Sequence, residues 1–145
     1  MFSAMNDQRQ KRWKKCLILT GDAHTGEQLA MLLESHGWKI SQVHSDREAY
    51  ERMLRENIDA VIADIDGVDL GGLGVLSYCH HHDRSIATYA VTPVDDGYRK
   101  KLARDLGGCR GYFYLANDSH DIDTSRGMAA SIASDLLERR ESPAA

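Results

Sequence analysis

Ala60-Val61-Ile62-Ala63-Asp64-Ile65-Asp66-Gly67-Val68-Asp69-Leu70-Gly71-Gly72 is the stretch whose reading decides the fold. Four apolar residues run into Asp64, then into a loop rich in glycine and acid. A short β-branched run bounded by such residues reads as a strand of a parallel sheet, buried on both faces. A carboxylate at the carboxyl end of that strand stands where open α/β sheets place their ligands and chemistry. The stretch therefore sets an expected fold and an expected site together.

Towards the amino end, residues 16–19 read as another apolar strand, ending at Thr20-Gly21-Asp22. Helical spacing follows, with Leu29, Leu32, Leu33 and His36 on one stripe and Gly37 placed to stop it. Residues 38–43 alternate as a strand. Ser45 or Asp46 can cap the next helix, whose apolar face carries Tyr50, Met53 and Leu54. The quoted strand spans 59–64. Beyond it, Leu73, Val75 and Leu76 open a third helix that runs into Tyr78-Cys79-His80-His81-His82. Residues 86–91 form a fourth strand, stopped by Thr92-Pro93. Residues 95–106 read as a helix with Tyr98, Leu102 and Leu106 inward, closed by Gly107-Gly108. A fifth strand spans 111–115, and a final amphipathic helix at 125–140 carries Met128, Ile132, Leu136 and Leu137.

Five β-α units at this spacing predict a single α/β domain. The expected architecture is a doubly wound (βα)5 flavodoxin-like fold with a five-stranded parallel sheet of order 2-1-3-4-5. It occupies residues 15–140, between a basic, flexible N-terminal extension at 1–14 and a short tail at 141–145.

The 145 residues fit one domain, and 42% hydrophobic with 28% charged content is ordinary for a soluble globular chain. The net charge of −4 divides unevenly, with +4 on residues 1–15 and −8 on the rest. The basic stretch reads as a solvated terminus, and the acidic body argues against a nucleic-acid partner. Cys16, Cys79 and Cys109 show no CxxC pairing and read as reduced thiols. No apolar run is long enough for a signal peptide or a membrane span. The expectation is a cytoplasmic protein without a membrane partner.

In their order and spacing these pieces resemble a response-regulator receiver (CheY-like) domain over about residues 15–140. The matching text is Leu17-Ile18-Leu19 with its loop, Leu32-Leu33-Glu34-Ser35-His36-Gly37-Trp38, Ile58-Asp59-Ala60-Val61-Ile62-Ala63-Asp64-Ile65, Gly72-Leu73, Val91-Thr92-Pro93 and Gly108-Cys109-Arg110-Gly111-Tyr112. Such domains take a phosphoryl group from a histidine kinase in two-component phosphorelays. The resemblance implies that Asp64 is the phospho-acceptor, that Thr92 contacts the phosphoryl group and that Tyr112 is the strand-five switch aromatic. It also implies two carboxylates after strand one to hold Mg²⁺ and a lysine after strand five. Ungapped alignment puts Thr20 and Gly21 in the place of the carboxylates, with Asp22 one position late, and Leu115 in the place of the lysine.

Mg²⁺ demands near-octahedral oxygen coordination and dehydrates reluctantly, so losing the acidic pair removes most of its affinity. The expected molecule is an atypical receiver, not an enzyme, that signals by protein–protein contact with inefficient phosphorylation. Its partners would be a histidine kinase or a downstream effector, or a second copy through the face of helix four, strand five and helix five. Two alternatives stay open. Asp22, Asp64 and Asp66 would rebuild a partial Mg²⁺ site if the first loop shifts by one residue, restoring a conventional phospho-acceptor. Gly21-Asp22-Ala23-His24-Thr25-Gly26 is similar to the Asp-x-His-x-x-Gly motif of cobalamin-binding domains, with Gly26 one residue early, and implies His24 as a cobalt ligand.

Other clusters read more plainly. Adjacent helical residues point about 100° apart, so Cys79-His80-His81-His82 reads as the surface end of a helix, not one metal site. Asp118, His120, Asp121 and Asp123 match no EF-hand spacing and read as a solvated loop.

Overall fold

Aliphatic, β-branched and aromatic residues form five strands, β1 (Lys14–Leu19), β2 (Trp38–Val43), β3 (Ala60–Asp64), β4 (Ala87–Thr92) and β5 (Gly111–Tyr114). The strands are parallel, in the order β2-β1-β3-β4-β5. Four helices connect them: α1 (Ala23–Glu34), α2 (Asp46–Arg55), α3 (Gly71–His82) and α4 (Gly97–Asp105). This computed structural model describes residues 14–21, 23–65, 71–92, 97–114, 127 and 130–132. Expectations for residues 1–13, Asp22, Asp66, Pro93, Leu115, 118–123, most of 125–140 and 141–145 lie outside the described residues.

Strand alternation divides the core into two layers. Cys16, Ile18, Ala60, Ile62, Tyr89 and Val91 face Leu29 and Leu33 of α1, together with Ile132. Ile132, which falls in the expected last helix, is buried in this layer. Leu17, Leu19, Val61, Ala63 and Ala90 face Ala49 of α2, Val75, Leu76 and Cys79 of α3, and Ala103 of α4. Each fully buried Leu, Ile or Val contributes about 1.5–3 kcal/mol relative to exposure. Helices on both faces of a parallel sheet are the doubly wound arrangement that the strand–helix alternation predicts.

The element ends follow local chemistry. Gly37 adopts φ +87, the left-handed conformation that ends α1 and that a Cβ would resist. Ser45 caps α2, its Oγ accepting from the Glu48 N–H at 3.2 Å, a contact worth about 1 kcal/mol.

Several sequence expectations need correction at this level. Leu54, placed on the apolar face of α2, is 83% exposed; Ala49 is the buried residue, with Tyr50 and Met53 packed against the core. Tyr98 and Leu106, expected inward from the fourth helix, are 69% and 51% exposed, and Ala103 makes the inward contact with Leu102 at its edge. His36 lies exposed past the end of α1. In α2 and α4 a small alanine meets the tightly packed sheet and these larger side chains are turned out. The fourth strand also runs one residue later than expected, so Thr92 is its last member. Among the described residues no helix is long and apolar enough to cross a membrane.

Candidate functional site

The carboxyl ends of β1, β3 and β4 form one rim of the sheet. Leu19 pairs with Ala63, so Thr20 and Asp64 each stand one residue beyond that pair on neighbouring strands. Asp64 itself pairs with Val91, which brings Thr92 to the rim on the other side. Beyond the strand, the Ile65 N–H donates to the Val91 carbonyl at 3.1 Å, extending the β3–β4 ladder past Asp64. Asp64 is half-buried, whereas Thr92 is 1% exposed.

The first helical turns of α3 pack tightly under this rim. A Cβ on Gly72 would overlap the Asp64 carbonyl oxygen, so glycine is required for α3 to start where it does. The Gly72-Leu73 pair, eight and nine residues after Asp64, thus has a steric reason. That close approach fixes the main chain of β3 at its last residue and holds Asp64 at the rim.

Thr20 occupies the position next to Asp64 on the β1 side. It is 3% exposed, and its Oγ lies 2.8 Å from where a Cβ on Gly26 of α1 would be. Gln42 Oε1 approaches the same point at 2.9 Å, so Thr20, Gln42 and Gly26 fill one corner between β1, β2 and α1. The Thr20 N–H donates to the Val43 carbonyl at 3.4 Å, and His44 Nδ1 lies 3.3 Å from the Thr20 carbonyl. With the proton on Nδ1, His44 donates that bond. Thr20 is therefore tied in by its neighbours on both main-chain groups. Gly21 follows as an exposed residue.

The rim's described donor set can be weighed against a divalent cation. Mg²⁺ asks for hard oxygen donors around an octahedron, with carboxylates supplying the charge. Among the described residues the strand ends at the rim offer Asp64 with the neutral Thr20 and Thr92, and the Asp46 carboxylate approaches the start of α3, its Oδ2 3.5 Å from where a Cβ on Gly71 would be. No three His, Cys, Asp or Glu side chains among the described residues converge on a common point. This set does not fit Mg²⁺. Asp22 and Asp66, the carboxylates that would complete the alternative site, lie outside the described residues, as does Leu115.

Tyr112 pairs with Ala90 on β5, half-buried against the core layer that holds α2, α3 and α4. It is on the same strand pair as Thr92, two residues further from the rim. His24 is exposed in the first turn of α1. Cys79 of the Cys-His-His-His run is buried, while His81 and His82 are exposed, so the run splits between core and surface. Two contributors to the rim escaped sequence reading. Gln42 and His44 belong to β2 and its exit, and only the β1–β2 register brings them to Thr20.

No known protein family matches the sequence, and no curated protein matches it. Solved structures do. A CheY-like response regulator receiver domain protein from Methanospirillum hungatei superposes with TM-score 0.73 at 18% identity, over 89% of this chain and 98% of that one. The signal receiver domain of an HD domain-containing protein from Pseudomonas fluorescens gives 0.69 at 16% identity, over 86% and 99%. HP1043, an orphan response regulator of H. pylori, gives 0.69 at 17% identity, over 85% and 96%. At these identities the likeness is one of fold: this chain has the fold of response-regulator receiver domains.

Proposed function

We propose that this chain is a receiver-like signalling module that works by protein–protein contact, keeping the acceptor-type Asp64 but lacking the acidic metal pair and the lysine. The receiver fold supports the signalling role. Thr20 is the observation that carries the finer reading. A buried, neutral hydroxyl turned towards Gly26 of α1 stands beside Asp64, where a phospho-acceptor domain needs charge to hold Mg²⁺.

Transfer of a phosphoryl group to a carboxylate develops negative charge on oxygens that already carry it. A metal and a cationic side chain offset that charge, and together they stabilise the transition state by several kcal/mol. With Thr20 and Gly21 after β1, and Leu115 after β5, Asp64 is left without those counterweights. Thr92 and Tyr112 retain the residue types of the phosphoryl-contact and switch positions, yet they have little phosphate to respond to. Output then comes from contact alone. The face of α4, β5 and the last helix is the surface assigned to it, for a kinase, a downstream effector or a second copy. Exposed Tyr98 with Lys100 and Lys101 on α4 supports that assignment, because an aromatic flanked by cations suits an acidic partner.

The test is intact-mass spectrometry after incubation with acetyl phosphate and Mg²⁺. No phosphoryl adduct is expected in the wild type or in Asp64→Asn. An adduct in the wild type that disappears in Asp64→Asn would establish the conventional phospho-acceptor instead.

A further inference from the structure

The helices carry their charges in two different ways. In α2 the acids Asp46 and Glu48 stand in the first turn and Arg52 and Arg55 in the last, which complements the helix dipole. Arg47 pairs with Glu51 at 3.5 Å and Arg52 with Glu56 at 3.7 Å, so this helix balances its own charge. Two others do not. α1 carries Glu27 and Glu34 with no lysine or arginine, and Glu34 is its last residue, where the dipole disfavours an acid. α4 carries Arg99, Lys100, Lys101 and Arg104 against Asp105, with Arg99 and Lys100 near its start and the acid at its end. Charges set against the dipole do not serve the helix that bears them.

We propose that the acidic face of α1 in one copy of this chain docks on the basic face of α4 in the next. The inference names the occupant of the α4 face and rests on the contact-based function proposed above. Charge complementarity is its first support. Glu27 and Glu34 on one helix, and Lys100, Lys101 and Arg104 on the other, are all exposed. Among the described residues Glu27, Glu34, Lys100 and Lys101 make no ion pair. Each face also has an apolar centre. Met31, 68% exposed, lies between Glu27 and Glu34 at helical spacing, and Tyr98, 69% exposed, lies one turn from Lys101. A thioether against a tyrosine ring is a favourable contact.

The fold supplies the second support, because it keeps the two faces apart. α1 packs through Leu29 and Leu33 on one side of the sheet, and α4 through Ala103 on the other. α1 leads into β2 and α4 into β5, the two edge strands. One chain therefore cannot bring its own α1 against its own α4, and a two-fold pair cannot make both contacts in one interface. The contact runs head to tail, each copy offering α4 to one neighbour and α1 to another, so the assembly grows with concentration. Exposed charges act over about 8 Å at physiological salt, which makes such a contact weak and sensitive to salt.

Sedimentation velocity of the full chain over a concentration series reads the contact. The average mass should rise with concentration without levelling at two copies. The rise should vanish at about 1 M salt, where screening acts within about 3 Å. Glu27→Lys with Glu34→Lys, or Lys100→Glu with Lys101→Glu, should each weaken association by about tenfold or more, since like charges then face one another. The circular-dichroism spectrum should stay unchanged in both. Mixing the two reversed variants should restore association, because each supplies the face that the other has lost. A chain that stays monomeric, or an association that both reversals leave intact, would overturn the proposal and leave the α4 face to a foreign acidic partner. Association that stops at two copies would overturn it as well, in favour of a two-fold interface. None of these results touches the function on which the proposal rests, which falls to a phosphoryl adduct on Asp64.

Discussion

Asp64 and Gly72 depend on one another at the level of single residues. The missing side chain at Gly72 lets α3 approach the Asp64 carbonyl, and that approach holds the carboxylate at the rim. Gly72→Ala inserts a methyl group against main chain that has nowhere to move. It should destabilise the protein by about 1–3 kcal/mol, the usual range for overpacking, although alanine is the better helix former. Urea denaturation checks this; an unchanged midpoint would mean that α3 is not held so closely. The thiols give a second expectation at this scale. Cys79 is pushed up to about 11 and Cys109 to about 12, chiefly by burial, and Cys16 also rises by burial with Asp59 nearby. Each thiol binds its proton more tightly folded than unfolded. Their stabilising contribution is therefore complete below the ordinary thiol value of 9.0 and is lost as pH rises towards 11. Unfolding free energy should therefore fall as pH rises from 9 to 11. A flat profile by denaturant titration over that window would show the thiols to be more exposed than the fold implies.

At the scale of elements, α1 was legible and α2 and α4 only partly so. Leu29 and Leu33 of α1 repeat every four residues and reach the core as the spacing predicts. In α2 and α4 the expected Tyr50, Met53 and Leu102 pack against the core, but the fully buried contacts are Ala49 and Ala103, which carry little weight in a hydrophobic pattern. Leu54, Tyr98 and Leu106, which the pattern sets beside them, are exposed instead. Strand–helix alternation was robust because it depends on many residues, whereas the inward face of a short, charged helix depends on one or two. This difference can be measured. Leu33→Ala should cost about 2–5 kcal/mol, as for other buried leucines. Leu54→Ala should stay within about 0.5 kcal/mol of wild type, as for other surface positions. A large loss for Leu54→Ala in thermal or urea unfolding would mean that Leu54 is packed in the folded protein and not exposed.

At the scale of the whole molecule, sheet order and the rim position of Asp64 followed from the sequence, because parallel βα units admit few topologies. The corner around Thr20 did not. It is assembled from β1, β2 and α1, and Gln42 and His44 come to it only through the strand register. A pattern search reads along the chain, and this corner is a neighbourhood across it. The consequence is functional. Among the described residues, a carboxylate is presented at the sheet's ligand-bearing edge beside a buried neutral hydroxyl that lies close to α1. On the function proposed here, such a module signals through its surfaces, with no group transfer. An Mg²⁺ titration followed by NMR at the amides of Asp64 and Thr92 tests that claim most directly. No saturable shift is expected in the millimolar range, and Asp64→Asn should behave as the wild type does. A saturable shift in the wild type that Asp64→Asn abolishes would contradict it.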